Sequence, residues 1–174
     1  MPTSIDINIK YFDTPEQPVK RLQIIQKGDW IDLYAAKTVW IPYLTNQTLN
    51  GFAIKHPLKP TLIPLGIGMQ LPENYEAHLI PRSSTFKNWG IIQTNHMGVI
   101  DNSYCGDNDQ WMMAAYCIAP HDVNKETHEL GTWIHAGDKI CQFRIVERMP
   151  NINFFEIDHL ADHDRGGFGS TGTI

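Results

Sequence analysis

The sequence is short of cysteine, of positive charge and of long apolar runs. Its three cysteines show no CxxC spacing, which argues against a disulfide framework and fits a reducing compartment. The formal net charge of -5 argues against a general nucleic-acid binder, because such proteins carry a basic face. Residues 38–54 are uncharged, but Pro42, Asn46 and Gln47 make them too polar to span a bilayer. The first residues lack the basic-then-apolar order of a secretion signal, so we expect a cytoplasmic protein.

Helical periodicity is also scarce, and short apolar runs take its place. Residues 5–12 alternate apolar and polar side chains with period two, as a half-buried strand does. One short helix is predicted at 83–90, with Ser83 or Ser84 at its start and Gly90 at its end. Many closely spaced strands are typical of an all-β sandwich or jelly roll. Further strands are predicted at 30–36, 61–71, 75–81, 90–94, 111–119, 139–147 and 153–157, each bounded by turn-forming residues.

The length of the chain favours one domain. A chain of 174 residues buries a sizeable core, and no repeat or linker divides it. Two segments, 36–58 and 120–132, are predicted as surface insertions. The second is polar and lacks a clear period.

Two stretches carry groups that suit a phosphate. In PRSS, Arg82 offers a planar fork of donors, and Ser83 and Ser84 add hydroxyl and backbone N–H groups at the predicted helix start. In GGFGSTG at 166–172, glycines allow backbone N–H groups close to an anion, and two hydroxyls follow. The purely structural alternatives are a capped helix with a surface arginine and a disordered terminus.

A third stretch, residues 95–111, is predicted as a hairpin with Asp101 near its tip and Tyr104 just beyond. A carboxylate in that position can act as general base toward a water molecule, and the tyrosine ring can form an apolar wall. The run DNDQW at 107–111 resembles part of a calcium loop, but it lacks the EF-hand spacing and the terminal glutamate.

The remaining candidates are weaker when taken alone. Asp32 lies in a predicted strand, where an isolated aspartate is more often a solvated residue. Gln142 follows the turn at the start of GDKICQ, where a plain β-turn is the alternative interpretation. His159 and His163 have zinc-ligand spacing on a helix, but no third ligand is evident and two glycines follow at once.

The stretches IDLYAA, PRSS, Asn95 to Tyr104, GDKICQ and GGFGSTG, in that order, resemble the five motifs of the trimeric dUTPase family. The resemblance covers roughly residues 30–172. It implies an all-β, jelly-roll-like subunit in a homotrimer with an exchanged C-terminal arm. It also implies hydrolysis of dUTP to dUMP and pyrophosphate with Mg²⁺, which supplies dUMP and limits uracil incorporation into DNA. Residues 1–162 are then the β domain, and residues 163–174 a mobile arm that closes the active site.

The resemblance implies a role for each matching residue. Asp101 aligns with the catalytic aspartate that orients and deprotonates the attacking water. Tyr104 aligns with the residue that packs on the deoxyribose and excludes a 2′-hydroxyl. Asp32 and Gln142 align with residues that contact the water shell of Mg²⁺ or the phosphates. The uracil edge is read by Asn95 and by the backbone of Gly98, Val99 and Ile100. The phosphates are held by Arg82, Ser83, Ser84 and Gln142, and by Gly169, Ser170 and Thr171 of the arm, whose Phe168 stacks on the uracil.

Three departures from the family pattern stand out. The family has Arg-Gly-Glu after the tyrosine, whereas Cys105, Gly106 and Asp107 stand here, which puts the usual ion pair in doubt. Cys141 replaces a common alanine. The arm's arginine normally precedes the phenylalanine by five residues, a position that His163 occupies, while Arg165 lies three before Phe168. We expect Arg165 to take the phosphate, because a guanidinium suits phosphate better than a mostly neutral imidazole.

Two alternatives to a plain dUTPase remain at this point. A dCTP deaminase resembles dUTPases in fold and in part of the second motif, although the order GVIDNSY and the complete arm favour a dUTPase. A phage-type dUTPase can carry an additional regulatory role through a protein partner, and the segment 36–58 is a candidate surface for that partner.

Overall fold

The computed structural model describes residues 4–24, 28–44, 48–49, 52–53 and 59–160, which form 14 strands and one short helix. The helix is α1 (Thr85–Trp89). The first seven strands are β1 (Asn8–Tyr11), β2 (Ile31–Tyr34), β3 (Val39–Pro42), β4 (Thr48–Leu49), β5 (Phe52–Ala53), β6 (Thr61–Pro64) and β7 (Ile67–Gln70). The others are β8 (Tyr75–Pro81), β9 (Ile91–Gln93), β10 (Gly98–Ile100), β11 (Met112–Cys117), β12 (Asp122–Val123), β13 (Leu130–Ile134) and β14 (Lys139–Glu147).

The strands form small antiparallel sheets around one apolar core. The largest sheet has the order β10-β8-β14-β2, and two three-stranded sheets have the orders β6-β11-β9 and β12-β13-β3. Strands β1 and β7 pair, as do β4 and β5. Trp111 and Phe143 meet edge to face in the core, with ring centroids 5.3 Å apart. The prediction of a mostly β chain with one short helix is confirmed.

Most predicted strands are present, because short apolar runs bounded by turn-forming residues suit strands that pack on a core. The strand predicted at 153–157 is wrong: the backbone there is irregular, and Phe154 and Phe155 are 91% and 84% exposed. In the described part of the two predicted surface segments, Val39–Pro42 is a sheet strand in which Ile41 is 1% exposed. Residues 122–123 and 130–132 also pair in that sheet, so both segments contribute to the fold as well as to the surface.

The hairpin predicted from β10 and β11 is also wrong. β10 pairs with β8, whereas β11 lies between β6 and β9 in another sheet. The 11 residues that separate the two strands are too many for a tight hairpin turn. The connecting segment closes on itself instead: the amide of Gly106 donates to Asp109 Oδ2 at 2.7 Å.

Helix α1 begins and ends at predicted residues, but the expected serine cap is not formed. Gly90 has φ 62°, and a Cβ there would lie 1.6 Å from the carbonyl oxygen of Ala119, so only glycine fits. Ser84 is the N-cap residue but makes no side-chain capping bond. Thr85 Oγ1 accepts from the amide of Arg82 at 3.0 Å and donates to the carbonyl of Ile140 at 2.7 Å. The hydroxyl of Thr85 therefore ties the Arg82 loop to β14. Within the described ranges, no helix has the length and apolar character that a membrane crossing requires.

Candidate functional site

One group of candidate residues forms a charged cluster, which we call the basic cluster and define as Asp32, Arg82, Lys139 and Gln142. The register of the large sheet places Gln142 opposite both Asp32 and Ile80, so β2, β14 and the end of β8 meet here. Arg82 Nε lies 2.7 Å from Asp32 Oδ1, and Lys139 Nζ lies 2.9 Å from Asp32 Oδ2. Two cations surround one carboxylate, so the cluster keeps a positive charge that suits an anion.

The lysine of the basic cluster is firmly protonated. The hydrogen bond to Asp32 and the charge of that carboxylate raise the pKa of Lys139 above its usual value. Arg82 Nη1 also donates to the carbonyl of Lys139, and Gln142 Nε2 to the carbonyl of Pro81, each at 3.4 Å. Sequence reasoning missed Lys139, although it lies inside the GDKICQ stretch.

The predicted serines lie beside this cluster at the start of α1. Ser83 is exposed and Ser84 is half-buried. The hydroxyl of Ser84 is not used to cap the helix, so it is not committed to the first turn. Both residues adjoin Arg82, as the prediction of a phosphate-binding segment requires.

A second group of predicted residues lines a cleft of about 380 Å³, here called the Asp101 cleft. It brings together the backbone of β10, the loop that follows it and the side chain of Asn95. The lining residues are Leu79, Asn95, Gly98, Val99, Ile100, Asp101, Ser103, Tyr104, Gln110, Trp111 and Met112. The sequence-predicted Asp101, Tyr104, Asn95 and Gly98–Ile100 therefore share one cavity.

Asp101 is held at the rim of this cleft by its own loop. The hydroxyl and the amide of Ser103 donate to Asp101 Oδ1 at 2.6 and 2.7 Å. These hydrogen bonds from Ser103, together with the charge of Arg148, lower the pKa of the exposed Asp101 below its usual value. The carboxylate is therefore ionised at neutral pH. The second oxygen, Oδ2, takes part in neither of these bonds.

Tyr104 lies across the same loop. Its hydroxyl donates to the carbonyl of Gln110 at 3.2 Å, and the residue is 42% exposed. Arg148 Nη1 donates to Asn102 Oδ1 and to the carbonyl of Glu73, each at 3.0 Å, and so fastens the loop to the end of β14. The loop that carries Asp101 is thus fixed at several points without being buried.

The structure does not bring the Asp101 cleft and the basic cluster together within the chain. Asp101 follows Ile100, which pairs with Ala77, whereas Arg82 follows the opposite end of β8. Asp101 is level with Glu76, six residues from Arg82, so at ~3.3 Å per residue these backbone positions lie about 20 Å apart along the strand. This separation exceeds the ~3 Å at which a base and the stabilising donors each approach a reacting atom.

The calcium alternative receives no support from the described residues, whereas the zinc pair His159 and His163 lies partly outside them. Asp107 pairs with Lys10 at 3.0 Å, and Asp109 accepts from the amide of Gly106, so the acidic loop is satisfied without an ion. No group of three or more His, Cys, Asp or Glu side chains within the described ranges is arranged to hold a metal. Asp107 occupies the position of the glutamate in the family's Arg-Gly-Glu sequence, and here it forms an ion pair with Lys10.

The predicted arm residues lie outside the described residues. They are His163, Arg165, Phe168, Gly169, Ser170 and Thr171. Their roles, and the boundary between a β domain at 1–162 and an arm at 163–174, stay predictions.

Comparisons with known proteins agree on one family. A model of the dUTPase family matches residues 48–172. The SPbeta prophage-derived deoxyuridine 5'-triphosphate nucleotidohydrolase of Bacillus subtilis is 46% identical over 169 residues, which are 97% of this chain and 99% of that protein. The deoxyuridine 5'-triphosphate nucleotidohydrolase of Finegoldia magna is 38% identical over 131 residues, 74% of this chain and 82% of its own length.

A solved structure supports the fold. The dUTPase of Staphylococcus bacteriophage 80alpha, solved with dUpNHpp, superposes with a TM-score of 0.67 at 16% identity, covering 97% of this chain and 99% of that one. At that identity the likeness concerns the fold. The family match and the B. subtilis relative favour a dUTPase over the dCTP deaminase alternative. The chain therefore belongs to the dUTPase family, the enzymes that hydrolyse dUTP to dUMP and pyrophosphate.

Proposed function

We propose that this dUTP diphosphatase works as a homotrimer, in which the Asp101 cleft of one copy and the basic cluster of another face one dUTP. The observation that carries the proposal is the gathering of Asn95, Gly98–Ile100, Asp101 and Tyr104 in one cleft. That cleft contains a general base, a sugar-packing ring and a base-reading edge. It lacks the cationic groups that a triphosphate needs, and these lie in the basic cluster.

Asp101 orients the attacking water and takes its proton. The ionised carboxylate is anchored through Oδ1, so the water can be held by Oδ2 in a constant direction. The water oxygen forms a bond to the α-phosphorus while the bond from that phosphorus to the bridging oxygen breaks. Pyrophosphate leaves with the electron pair of that bond, and dUMP remains. Because the pKa of Asp101 is low, positioning and charge contribute more than basic strength.

The uracil is read by the exposed edge of β10. Among the described strands, β10 is the edge strand of the large sheet and pairs only with β8, so its outer N–H and C=O groups are free to bond a base. Asn95 adds a side-chain amide beside this edge, and the Tyr104 ring packs on the deoxyribose. A narrow cleft of this kind rejects the methyl group of thymine on steric grounds and a ribose for its 2′-hydroxyl.

The phosphates bind at the basic cluster. Arg82 supplies a charge-assisted contact, and Ser83 and Ser84 supply hydroxyl and amide donors. Both oxygens of Asp32 already bond to cations, so Asp32 and Gln142 fit a metal that they reach through water. Mg²⁺ bound with dUTP would supply positive charge that neutralises the phosphate oxygens. The direct contribution of Asp32 is to fix Arg82 and Lys139.

A trimer accounts for the exposed apolar chain that follows β14. Phe154, Phe155 and Leu160 are 91%, 84% and 85% exposed, in a stretch without sheet partners among the described residues. Large apolar side chains that are this exposed are favourable sites for a protein contact. The occupant we propose is a neighbouring copy, and the proposal includes that the arm from residue 163 onward reaches the site of that copy.

Subunit mixing tests the shared site. Chains carrying Asp101→Asn and chains lacking residues 163–174 are each expected to be inactive with dUTP and Mg²⁺. Mixed trimers are expected to regain part of the activity, because one site then draws an intact Asp101 and an intact arm from different copies. Product analysis should show dUMP and pyrophosphate. A monomer by light scattering, or no rescue when mass spectrometry proves that chains have mixed, contradicts the proposal.

A second, additional role is suggested by the phage connection. The B. subtilis relative is prophage-derived, and phage 80alpha dUTPase is described as controlling the transfer of virulence genes. Strands β4 and β5 of this chain pair only with each other among the described residues, which leaves them available to a partner. Replacing residues 48–53 by a short glycine linker should leave dUTP hydrolysis unchanged and abolish any regulatory binding. If dUTP hydrolysis is lost instead, residues 48–53 are required for the enzymatic activity and the proposed separate role fails.

A further inference from the structure

Gln93 is a buried amide at a position where the strand pattern calls for an apolar residue. In β9, Ile91 and Gln93 point to the interior while Ile92 is exposed, and Gln93 is 7% exposed. Burying an amide is unfavourable unless its hydrogen bonds are satisfied. None of the roles described above uses this side chain.

The hydrogen bonds of Gln93 run in one direction, toward the Asp101 cleft. Its Nε2 donates to the carbonyl of Leu79 at 3.2 Å and to Asn95 Oδ1 at 3.0 Å. The carbonyl of Leu79 can only accept, so it determines which end of the Gln93 amide faces it. The second hydrogen on the same nitrogen then requires an acceptor, and Asn95 must turn its Oδ1 inward. This leaves Nδ2, a pure donor, as the outward end of the Asn95 amide.

The buried amide of Gln93 lowers the stability of the fold in a way that an apolar residue at this position would not. Gln93 Oε1 is buried without a hydrogen-bond partner among the described residues. Such an orphaned acceptor is unfavourable, whereas an apolar side chain of the same length would bury without that penalty. The amide is therefore explained by what its donor end does to Asn95.

We infer that Gln93 is a positioning residue that locks the Asn95 amide with its donor toward the base, and so selects uracil over cytosine. At the 4-position, uracil, like thymine, carries a carbonyl acceptor, while cytosine carries an amino donor. An outward-facing donor on Asn95 forms a hydrogen bond with the carbonyl of uracil and is repelled by the amino group of cytosine. The inference rests on the proposed role of Asn95 in reading the base.

The test measures dissociation constants for dUMP and dCMP by calorimetry on the full chain, since neither ligand is hydrolysed. Gln93→Met removes both donated bonds and keeps length and burial, and it is expected to weaken dUMP binding about three- to tenfold, with a smaller effect on dCMP. With dUTP, KM should rise by a similar factor while kcat changes little. Combined with Asn95→Ala, Gln93→Met should have no further effect, because Gln93 acts through Asn95.

Two further variants keep the inference testable if Gln93→Met fails to fold. Gln93→Glu has the same shape but presents an acceptor to Asn95, so the Asn95 amide should turn and the preference for dUMP over dCMP should shrink. Asn95→Asp affects only an exposed residue and presents an acceptor to the base, so it should weaken dUMP binding more than Asn95→Ala does.

The outcomes separate this inference from the proposed function. If Asn95→Ala weakens dUMP binding and Gln93→Met does not, Gln93 has no positioning role while Asn95 keeps its own. If Gln93→Met weakens dUMP binding equally in the wild-type protein and in the Asn95→Ala variant, Gln93 does not act through Asn95. That result makes Gln93 a structural residue only and overturns the inference. If Asn95→Ala leaves dUMP affinity unchanged, the base-reading role of Asn95 fails, and the inference fails with it.

Discussion

The basic cluster and the Asp101 cleft are built in different ways. The cluster lies on paired strands, where Asp32 binds Arg82 and Lys139 and the sheet register sets their spacing. The cleft lies at an edge strand and on a loop that is fastened by hydrogen bonds from Ser103, Tyr104 and Arg148. In the proposed mechanism, the charges that bind the triphosphate thus lie on paired strands, and the groups that surround the base and sugar lie on an exposed edge. In the proposed trimer, each region is half of a site.

The largest expected effect comes from removing the base in the cleft. Asp101→Asn keeps the shape of the side chain and removes its charge, so turnover of dUTP should fall by roughly 10²–10⁴-fold. Because Asp101 is exposed and bonds within its own loop, folding and dUTP affinity should be retained. Steady-state kinetics and binding of a non-hydrolysable analogue measure the two effects. Near-normal turnover in a folded variant removes Asp101 from the mechanism.

Arg82→Ala tests the basic cluster, the other of the two regions. This change removes a phosphate contact and leaves Asp32 with Lys139 alone, so kcat/KM for dUTP should fall about ten- to hundredfold. Binding of dUMP, which has no β- or γ-phosphate, should suffer less. Arg21→Ala is the matched control, because Arg21 pairs with Asp13 on an exposed surface at 2.7 Å. Equal losses in the two variants would falsify a phosphate role for Arg82.

The arm is expected to complete the phosphate half of the site. If Arg165 holds the terminal phosphate, Arg165→Ala should reduce catalysis on dUTP about ten- to hundredfold, and His163→Ala much less. Neither variant should change dUMP binding. The arm should resist proteolysis with a non-hydrolysable dUTP analogue and remain sensitive with dUMP. A larger effect of His163→Ala assigns the arginine's role to the histidine.

The smallest effect concerns the anchoring of the cleft. Hydrogen bonds from Ser103 lower the pKa of Asp101 because they stabilise its charged form. Ser103→Ala removes one of them and should raise that pKa, so the acidic limb of the kcat/KM profile should move to higher pH. At neutral pH Asp101 is ionised in both proteins, and the rates should be similar. Thr14→Ala, which affects a distant turn, should leave the limb in place, and an unmoved limb in Ser103→Ala contradicts the anchoring role.

The strands that were predicted correctly are those whose own residues carry the signal. Asn8–Tyr11 and Tyr75–Pro81 alternate apolar and polar residues, and Gly90 marks the end of α1 by its left-handed backbone. The strand predicted at 153–157 has the composition of a strand but finds no partner within the described residues. Composition alone does not decide pairing, since tertiary contacts override β-propensity.

The sequence by itself determined the class of the fold, the order of the five motifs and hence the family, because these depend on residue types and short spacings. Only the tertiary structure decided that β10 pairs with β8, that Lys139 joins Asp32, and that Gln93 donates a hydrogen bond to Asn95. The first two relations join residues that are far apart in the chain. The third depends on the carbonyl of Leu79, which lies in another strand. Long-range contacts of this kind are set by how sheets pack around the core, which no local pattern specifies.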